Sequence, residues 1–450
     1  MTGHYDEATL QEYLDSPEDF AGREALERHV ALCAACRDIL DELRAFEAAL
    51  ASNAVWQLAD SLASPEPPPL IRELAELLAR EDREAAEMLA PLVASPASFR
   101  RAHVSAQPTM RTAGVVRRLC DESRALRERQ PMHALVVADA AIAIADQLLT
   151  DRYPPPLIDE LRGGAWLERA NVLRYLGRHA EAFDALDISE RVYARSPVSV
   201  YSIAVVDYVR AVVSVESERL DDALRLARRS ARVFRQFGED ERYVHAKMVE
   251  ATVLFDQHRH AAARELFLSL AAVARSLGKP DTLARLYANV ANCDLQLQDL
   301  ASAEVYFARA LSLYEALGLE TERIRARWNI GCLRIAAGDV TDGVARLREA
   351  RREFEELGAR SDAALVALDL AEALLAGGDA RDAAEAQALC TAALESFNAV
   401  GMTGHALAAL AYLREAFDRG RATPALVRHV RQYLASAPDE HGKPFLPPPS

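Results

Sequence analysis

LGKPDTLARLYANVANCDLQLQDLASAEVYFARALSLYEALG, residues 277–318, begins and ends on the same Leu-Gly pair. A hydrophobic residue followed by glycine recurs as Phe237-Gly238, Leu277-Gly278, Leu317-Gly318 and Leu357-Gly358, forty residues apart each time. A fifth pair, Val400-Gly401, comes three residues late, and Ala383–Gln387 is the expected place of the extra residues. Small residues share the period. Ala251, Ala291, Gly331 and Ala371 hold one phase, and Ala263, Ala303, Gly343 and Ala383 hold another, twelve residues on. Turn segments such as Ala337-Gly338-Asp339 and Gly377-Gly378-Asp379 lie between the phases. The pattern predicts two antiparallel helices per repeat, touching where side chains are smallest, with glycine permitting the turn. Each Leu-Gly pair then closes a second helix. Composition agrees: aromatics are 6%, and Ala, Leu, Arg and Glu dominate, which favours helix over sheet.

This pattern resembles the tetratricopeptide repeat in a forty-residue form. In AWLERANVLRYLGRHAEAFDAL, residues 165–186, Trp166, Ala170, Leu173, Gly177, Ala182 and Leu186 match the family pattern. Ala211 and Ala223 fill the two phases of the next unit. Ala134, Ala138 and Ala141 read as the second helix of an earlier, degenerate unit whose first helix is Val115–Leu126. The resemblance covers about residues 110–417, or about seven helix pairs, and implies an all-α, right-handed solenoid. Pro424–Ala437 reads as a capping helix, so the array is expected over 110–435. The end of the chain, PDEHGKPFLPPPS, is Pro-rich, and 436–450 is expected to lack fixed structure.

The chemistry lies in the first forty residues. His29, Cys33 and Cys36 form H-x3-C-x2-C inside ALERHVALCAACRDILDEL. His and Cys four apart share a helical face, and the C-x2-C pair can close on one ion at the end of that helix. Three such donors suit one tetrahedral Zn2+, which wants a fourth. His4, in GHYDEATLQEYLD, is the candidate.

Here the chain resembles the zinc-binding anti-sigma domain. It supplies His4, the helix-ending run Tyr13-Leu14-Asp15, the three clustered ligands, Arg37, Leu40 and Leu43. The match spans about residues 1–60 and includes a following helix from Arg44 to about Ala63. The resemblance implies a module that holds an alternative sigma factor of RNA polymerase away from the core enzyme. The first fifty residues carry roughly three times as many Asp and Glu as Lys and Arg, which suits a basic partner surface. Two further roles for zinc stay open: a staple for a module too small to bury a sufficient core, and a redox-sensitive site whose cysteines form a disulfide and eject the metal.

Between module and array, SLASPEPPPL (Ser61–Leu70) reads as a stiff spacer, and 61–109 as linker and helical spacer. The helical pattern over Ile71–Val93 either caps the array or stands apart. The net charge of −15 argues against direct nucleic-acid binding, which needs clustered Lys and Arg. Apolar runs such as Ala134–Leu149 are broken by Asp139 and Asp146, and no signal-peptide pattern opens the sequence, so a cytoplasmic protein without membrane association is expected. Cys120, Cys293, Cys332 and Cys390 sit singly in helical pattern and read as small buried hydrophobes.

No catalytic motif is present, and no enzyme is expected. The array is expected to bind protein or peptide on the face of its first helices. Arg285, Asn289 and Asn292 form one stripe there, with Arg325 and Asn329 at matching phases in the next repeat. Trp166 and Trp328 are expected to pack rather than bind. Two functions follow: a regulator whose zinc module sequesters a partner, and an assembly scaffold in which zinc is purely structural.

Overall fold

The computed structural model describes residues 4–5, 7–15, 20, 22–50, 68–90, 107–128, 130–196, 199–377, 380–400, 404–435 and 445–448. Among them the regular structure is helical and no strand occurs. None of the described helices is long and apolar enough to cross a membrane.

Three helices open the chain: α1 (Glu7–Asp15), α2 (Arg23–Leu32) and α3 (Ala34–Leu50). Leu10, Tyr13, Leu26, Cys36, Leu40 and Leu43 form their core. The Tyr13 hydroxyl donates to Glu27 Oε1 at 3.0 Å, and Arg23 pairs with the same carboxylate at 2.8 Å. No new helix starts at Arg44, contrary to the sequence expectation, because α3 runs through it without a break. The rest of that expected helix and most of the Pro-rich spacer lie outside the described residues.

Next come α4 (Pro69–Leu89) and α5 (Ala113–Leu126). The open question about Ile71–Val93 has a clear answer: α4 packs directly on α5. At Gly114 the two backbones touch, since a Cβ there would stand 2.4 Å from the Glu81 carbonyl. Glu81 is fully buried and accepts from the Tyr153 hydroxyl (2.8 Å), the Gly114 N–H (3.3 Å) and Arg152. The Tyr153 oxygen in turn accepts from the Ala113 N–H at 3.2 Å. One carboxylate and one phenol thus satisfy donors that the first turn of α5 would otherwise bury unpaired.

The chain divides into two compact units, residues 1–176 with 181–210, and residues 177–180 with 211–450. The first continues through α6 (Pro131–Ala145), α7 (Pro155–Tyr175), most of α8 (His179–Tyr193) and the start of α9 (Val200–Glu216). Its core joins Ala85 and Leu89 of α4 to Val116 and Leu119 of α5, Ile144 of α6 and Ile158 of α7.

The second unit holds α10 (Leu220–Gln236), α11 (Asp240–Asp256), α12 (His260–Ser276), α13 (Pro280–Gln296), α14 (Leu300–Leu317), α15 (Glu320–Ala336), α16 (Val340–Glu356), α17 (Arg360–Gly377) and α18 (Ala380–Val400). Each starts twenty residues after the one before. Positive φ falls at Glu218, Gly238, His258, Gly278, Gln298, Gly318, Gly338 and Gly358, again every twenty residues. The turn after α12 shows why. Gly278 N–H reaches Arg275 O at 3.2 Å and Lys279 N–H reaches Ala274 O at 3.1 Å, a pairing that requires one left-handed residue. The sequence repeats at forty because glycine regularly fills only the turns that follow second helices.

The small residues lie where expected. Ala251, Ala263, Ala291, Ala303 and Ala371 are fully buried, and a Cβ on Gly343 would stand 2.8 Å from the Gly331 carbonyl oxygen. Ala383 is the exception. It is only half-buried, and Ala386 takes the buried place. The physical reason is length: α18 has 21 residues against 17 in α12 and α16, and moving the buried place three residues along is almost one turn, which restores the buried face.

The chain continues through α19 (Gly404–Asp418) and α20 (Pro424–Ala435). Part of the tail expected to lack structure is placed. The Phe445 ring lies 5.6 Å from Tyr412, 5.5 Å from His429 and 5.3 Å from Tyr433, and His429 Nε2 meets the Leu446 carbonyl at 2.9 Å. Phe445 clamps α19 to α20 by packing its half-buried ring against aromatic side chains of both helices.

Three outcomes are expected in urea denaturation. Gln298→Gly stabilises by ~0.5–1 kcal/mol, because the left-handed penalty at that turn disappears, whereas Gly343→Ala costs ~1–3 kcal/mol by overpacking. Glu81→Ala costs ~2–4 kcal/mol by leaving the Gly114 N–H and the Tyr153 hydroxyl without their acceptor.

Candidate metal centre and inner helix face

In one unbroken helix His29 and Cys36 would stand ~10 Å apart along the axis, too far for one ion. The run forms two helices. α2 stops at Leu32, and Cys33 turns extended, with φ −104° and ψ 109°. Its N–H still reaches the His29 carbonyl at 2.8 Å, and its own carbonyl accepts from Arg37 N–H at 3.1 Å. The kink folds Cys36, on the first turn of α3, back beside Cys33. The segment before α1 then brings His4 over both sulfurs, with Nδ1 at 3.2 Å from Cys33 Sγ and 3.7 Å from Cys36 Sγ.

One donor atom from each of His4, His29, Cys33 and Cys36 lies within 4.8 Å of all the others. Cys36 is fully buried and His4 exposed. His29 Nε2 is buried without a hydrogen-bond partner among the described residues, so its lone pair or proton is unsatisfied unless something else meets it. Burial pushes the Cys36 thiol above its ordinary pKa; a contact with the Tyr5 carbonyl opposes this and Cys33 adds to it. A divalent cation between the sulfurs offsets that penalty by favouring both thiolates. Tetrahedral zinc spaces N and S donors about 3.3–3.8 Å apart, so the four must close by about 1.5 Å at most. Two imidazoles and two thiols are a donor set that fits this ion. Beside the site, Leu32 is 89% exposed and leads a small apolar tip with Ala31, Ala34 and Ala35.

Arg285, Asn289 and Asn292 lie on α13, and Arg325 and Asn329 on α15. Arg285 pairs with Asp281 at 3.5 Å, and Arg325 with Asp362 of α17 at 3.0 Å. Asn289, Asn292 and Asn329 are half-exposed, and their side chains make no hydrogen bond among the described residues. Sequence reasoning stopped at Asn329 because the next members change type. Forty residues beyond Asn329 and Cys332 stand Asp369 and Glu372. Asp369 is buried, which pushes its carboxyl pKa up, while Arg431 opposes that shift. It accepts from Trp328 Nε1 at 2.7 Å, so Trp328 packs as expected and also donates. Trp166, half-buried, carries the Arg169 guanidinium 5.6 Å from its ring centre.

Cys120, Cys293 and Cys390 behave as apolar side chains, while the Cys332 thiol also donates to Asp369 Oδ2 at 3.7 Å. Burial pushes Cys120, Cys293 and Cys390 up to about 12 and Cys332 well above its ordinary value.

Residues 249–316 match the tetratricopeptide repeat family. No curated protein matches the sequence. Among solved structures, the chain is similar to a Rap protein complexed with Competence and Sporulation Factor, at 16% identity and TM-score 0.47, over 80% of this chain and 99% of that one. It is similar to aspartyl phosphate phosphatase F from Bacillus subtilis at 12% identity and TM-score 0.48, over 74% and 94%. A third is a signal-transduction ATPase with a tetratricopeptide repeat sensor from Pyrococcus horikoshii, at 13% identity and TM-score 0.45, over 72% and 51%.

Asn289→Ala and Asn329→Ala are expected to change stability by less than ~0.5 kcal/mol, since neither side chain is engaged within the chain. Trp328→Phe is expected to cost ~1–3 kcal/mol by leaving buried Asp369 without its indole donor. Thermal unfolding of the three variants distinguishes them.

Proposed function

We propose that the N-terminal module binds one Zn2+ through His4, His29, Cys33 and Cys36 and grips a protein partner, while the repeat array binds protein or peptide on its first-helix face. The single observation that carries the metal is the buried, partnerless His29 Nε2 inside a cluster of four donors. The ion would supply what the module lacks. A core of about six side chains is marginal for so small a unit, and a four-ligand metal offsets the ordering entropy of three short helices.

Partner binding by the module is supported by its acidic balance and by the exposed Leu32 beside the site, which offer charge and an apolar contact to a basic surface. An alternative sigma factor is the partner that the anti-sigma resemblance suggests. For the array, support comes from the tetratricopeptide repeat match and from the unengaged asparagines along one helix face. The second reading is an assembly scaffold whose zinc only staples α1–α3. The small core favours it as much as it favours the first.

Affinity capture with zinc analysis separates the two. The wild-type chain is expected to carry about one Zn2+, and Cys33→Ser/Cys36→Ser none, as a four-ligand site reduced to two histidines cannot hold the ion. Chelation is expected to lower helicity in residues 1–50 without melting the array. A sigma factor captured by wild type and lost from the variant supports the regulator. Zinc present, with identical partners on both proteins, reduces the module to a staple. A wild-type chain purified without zinc, and unable to take it up, sinks the metal assignment.

A further inference from the structure

We infer that the first-helix face of the last repeats is a receptor for a basic amphipathic helix, and that α20 is its occupant in cis, to be displaced by a partner bearing a helix of the same chemistry. This rests on the reading above that the first-helix face is the array's binding surface.

The stripe of Arg285, Asn289 and Asn292 advances by forty residues per repeat, and on α17 its last two positions are Asp369 and Glu372. Those two carboxylates are what α20 engages. Arg431 pairs with Asp369 at 2.8 Å and Arg428 with Glu372 at 2.6 Å. A helix that merely closed the end of the array would stop there. α20 reaches further: the Arg431 guanidinium lies 5.8 Å from the ring of Trp328, on α15, the first helix of the preceding repeat. Tyr433 also feels the charge of Glu218, in the turn before α10.

The helix itself has ligand chemistry. PALVRHVRQYLA carries two arginines, a histidine and no acid, in a chain of net charge −15. Leu426, Val427, Val430 and Leu434 form its buried side. Arg428 is 58% exposed, so its ion pair is screened and open to exchange. Beyond the Gly420 turn, the tail residue Phe445 helps fasten it, through the ring contacts with Tyr412, His429 and Tyr433. A partner helix with basic residues three apart, flanked by the same apolar spacing, meets the identical acidic and apolar wall.

The test is a fluorescent peptide of sequence PALVRHVRQYLA, titrated into three full-length proteins and followed by anisotropy. Arg428→Glu/Arg431→Glu, with its own helix loosened, is expected to bind at least tenfold tighter than wild type. Adding Asp369→Asn/Glu372→Gln is expected to lose tenfold or more, and a peptide with both arginines changed to glutamate is expected not to bind. Equal binding to wild type and the loosened variant, or binding indifferent to Asp369 and Glu372, overturns the inference. Hydrogen exchange on the wild-type chain gives a second readout that needs no variant to fold. Amides of α20 are expected to exchange at least a hundredfold faster than those of α15 and α17, and equal protection counts against displacement. If the peptide behaves as expected but the chain captures no protein, the proposed function of the array falls while the receptor face stands.

Discussion

A left-handed residue every twenty positions is the constraint on which the array depends. Seventeen residues of helix span ~26 Å, and a three-residue turn reverses the chain only if one φ is positive. With that interval fixed, a given phase returns to the same face in every repeat. Buried alanines therefore stay buried, and exposed asparagines stay exposed. The constraint is stronger than the residue type that meets it, since Glu218, His258 and Gln298 adopt the conformation at a cost glycine would not incur. The insertion in α18 obeys the same logic, being tolerated because it adds nearly a whole turn.

Buried carboxylates serve as joints on this scaffold. Glu81 meets the first turn of α5, and Asp369 on α17 gathers Trp328 and Cys332 of α15 and Arg431 of α20. Glu168 lies between Arg124 and Arg127, and burial pushes its pKa up. At Glu81 and Asp369 desolvation is offset by several donors rather than one, the condition under which a buried acid supports a fold. Each acid joins helices that are not neighbours in sequence, or a helix to a segment outside the repeat pattern.

The N-terminal module follows a different principle. Its apolar core is small, and its organising feature is a break between α2 and α3 that turns a linear motif into a cluster. Extended backbone at Cys33 costs one helical register and brings four donor atoms together. The array instead relies on repeated contact between neighbours.

What the sequence alone determined was whatever recurs or clusters locally: the helix pairs, the small-residue phases, the clustered donors His29, Cys33 and Cys36, and the stripe through Arg285 and Asn289. Such features are legible because helical period and short spacing fix geometry without knowledge of distant residues. Tertiary structure decided what joins elements far apart. Glu81 became the acceptor for α5, Ala386 replaced Ala383, and His4 came within reach of both sulfurs. The inner stripe ended on two acids held by arginines sixty-two residues away in sequence, for Arg431 on Asp369, and fifty-six for Arg428 on Glu372. Those pairings depend on where a helix comes to rest after a non-periodic turn, and no local spacing encodes that position.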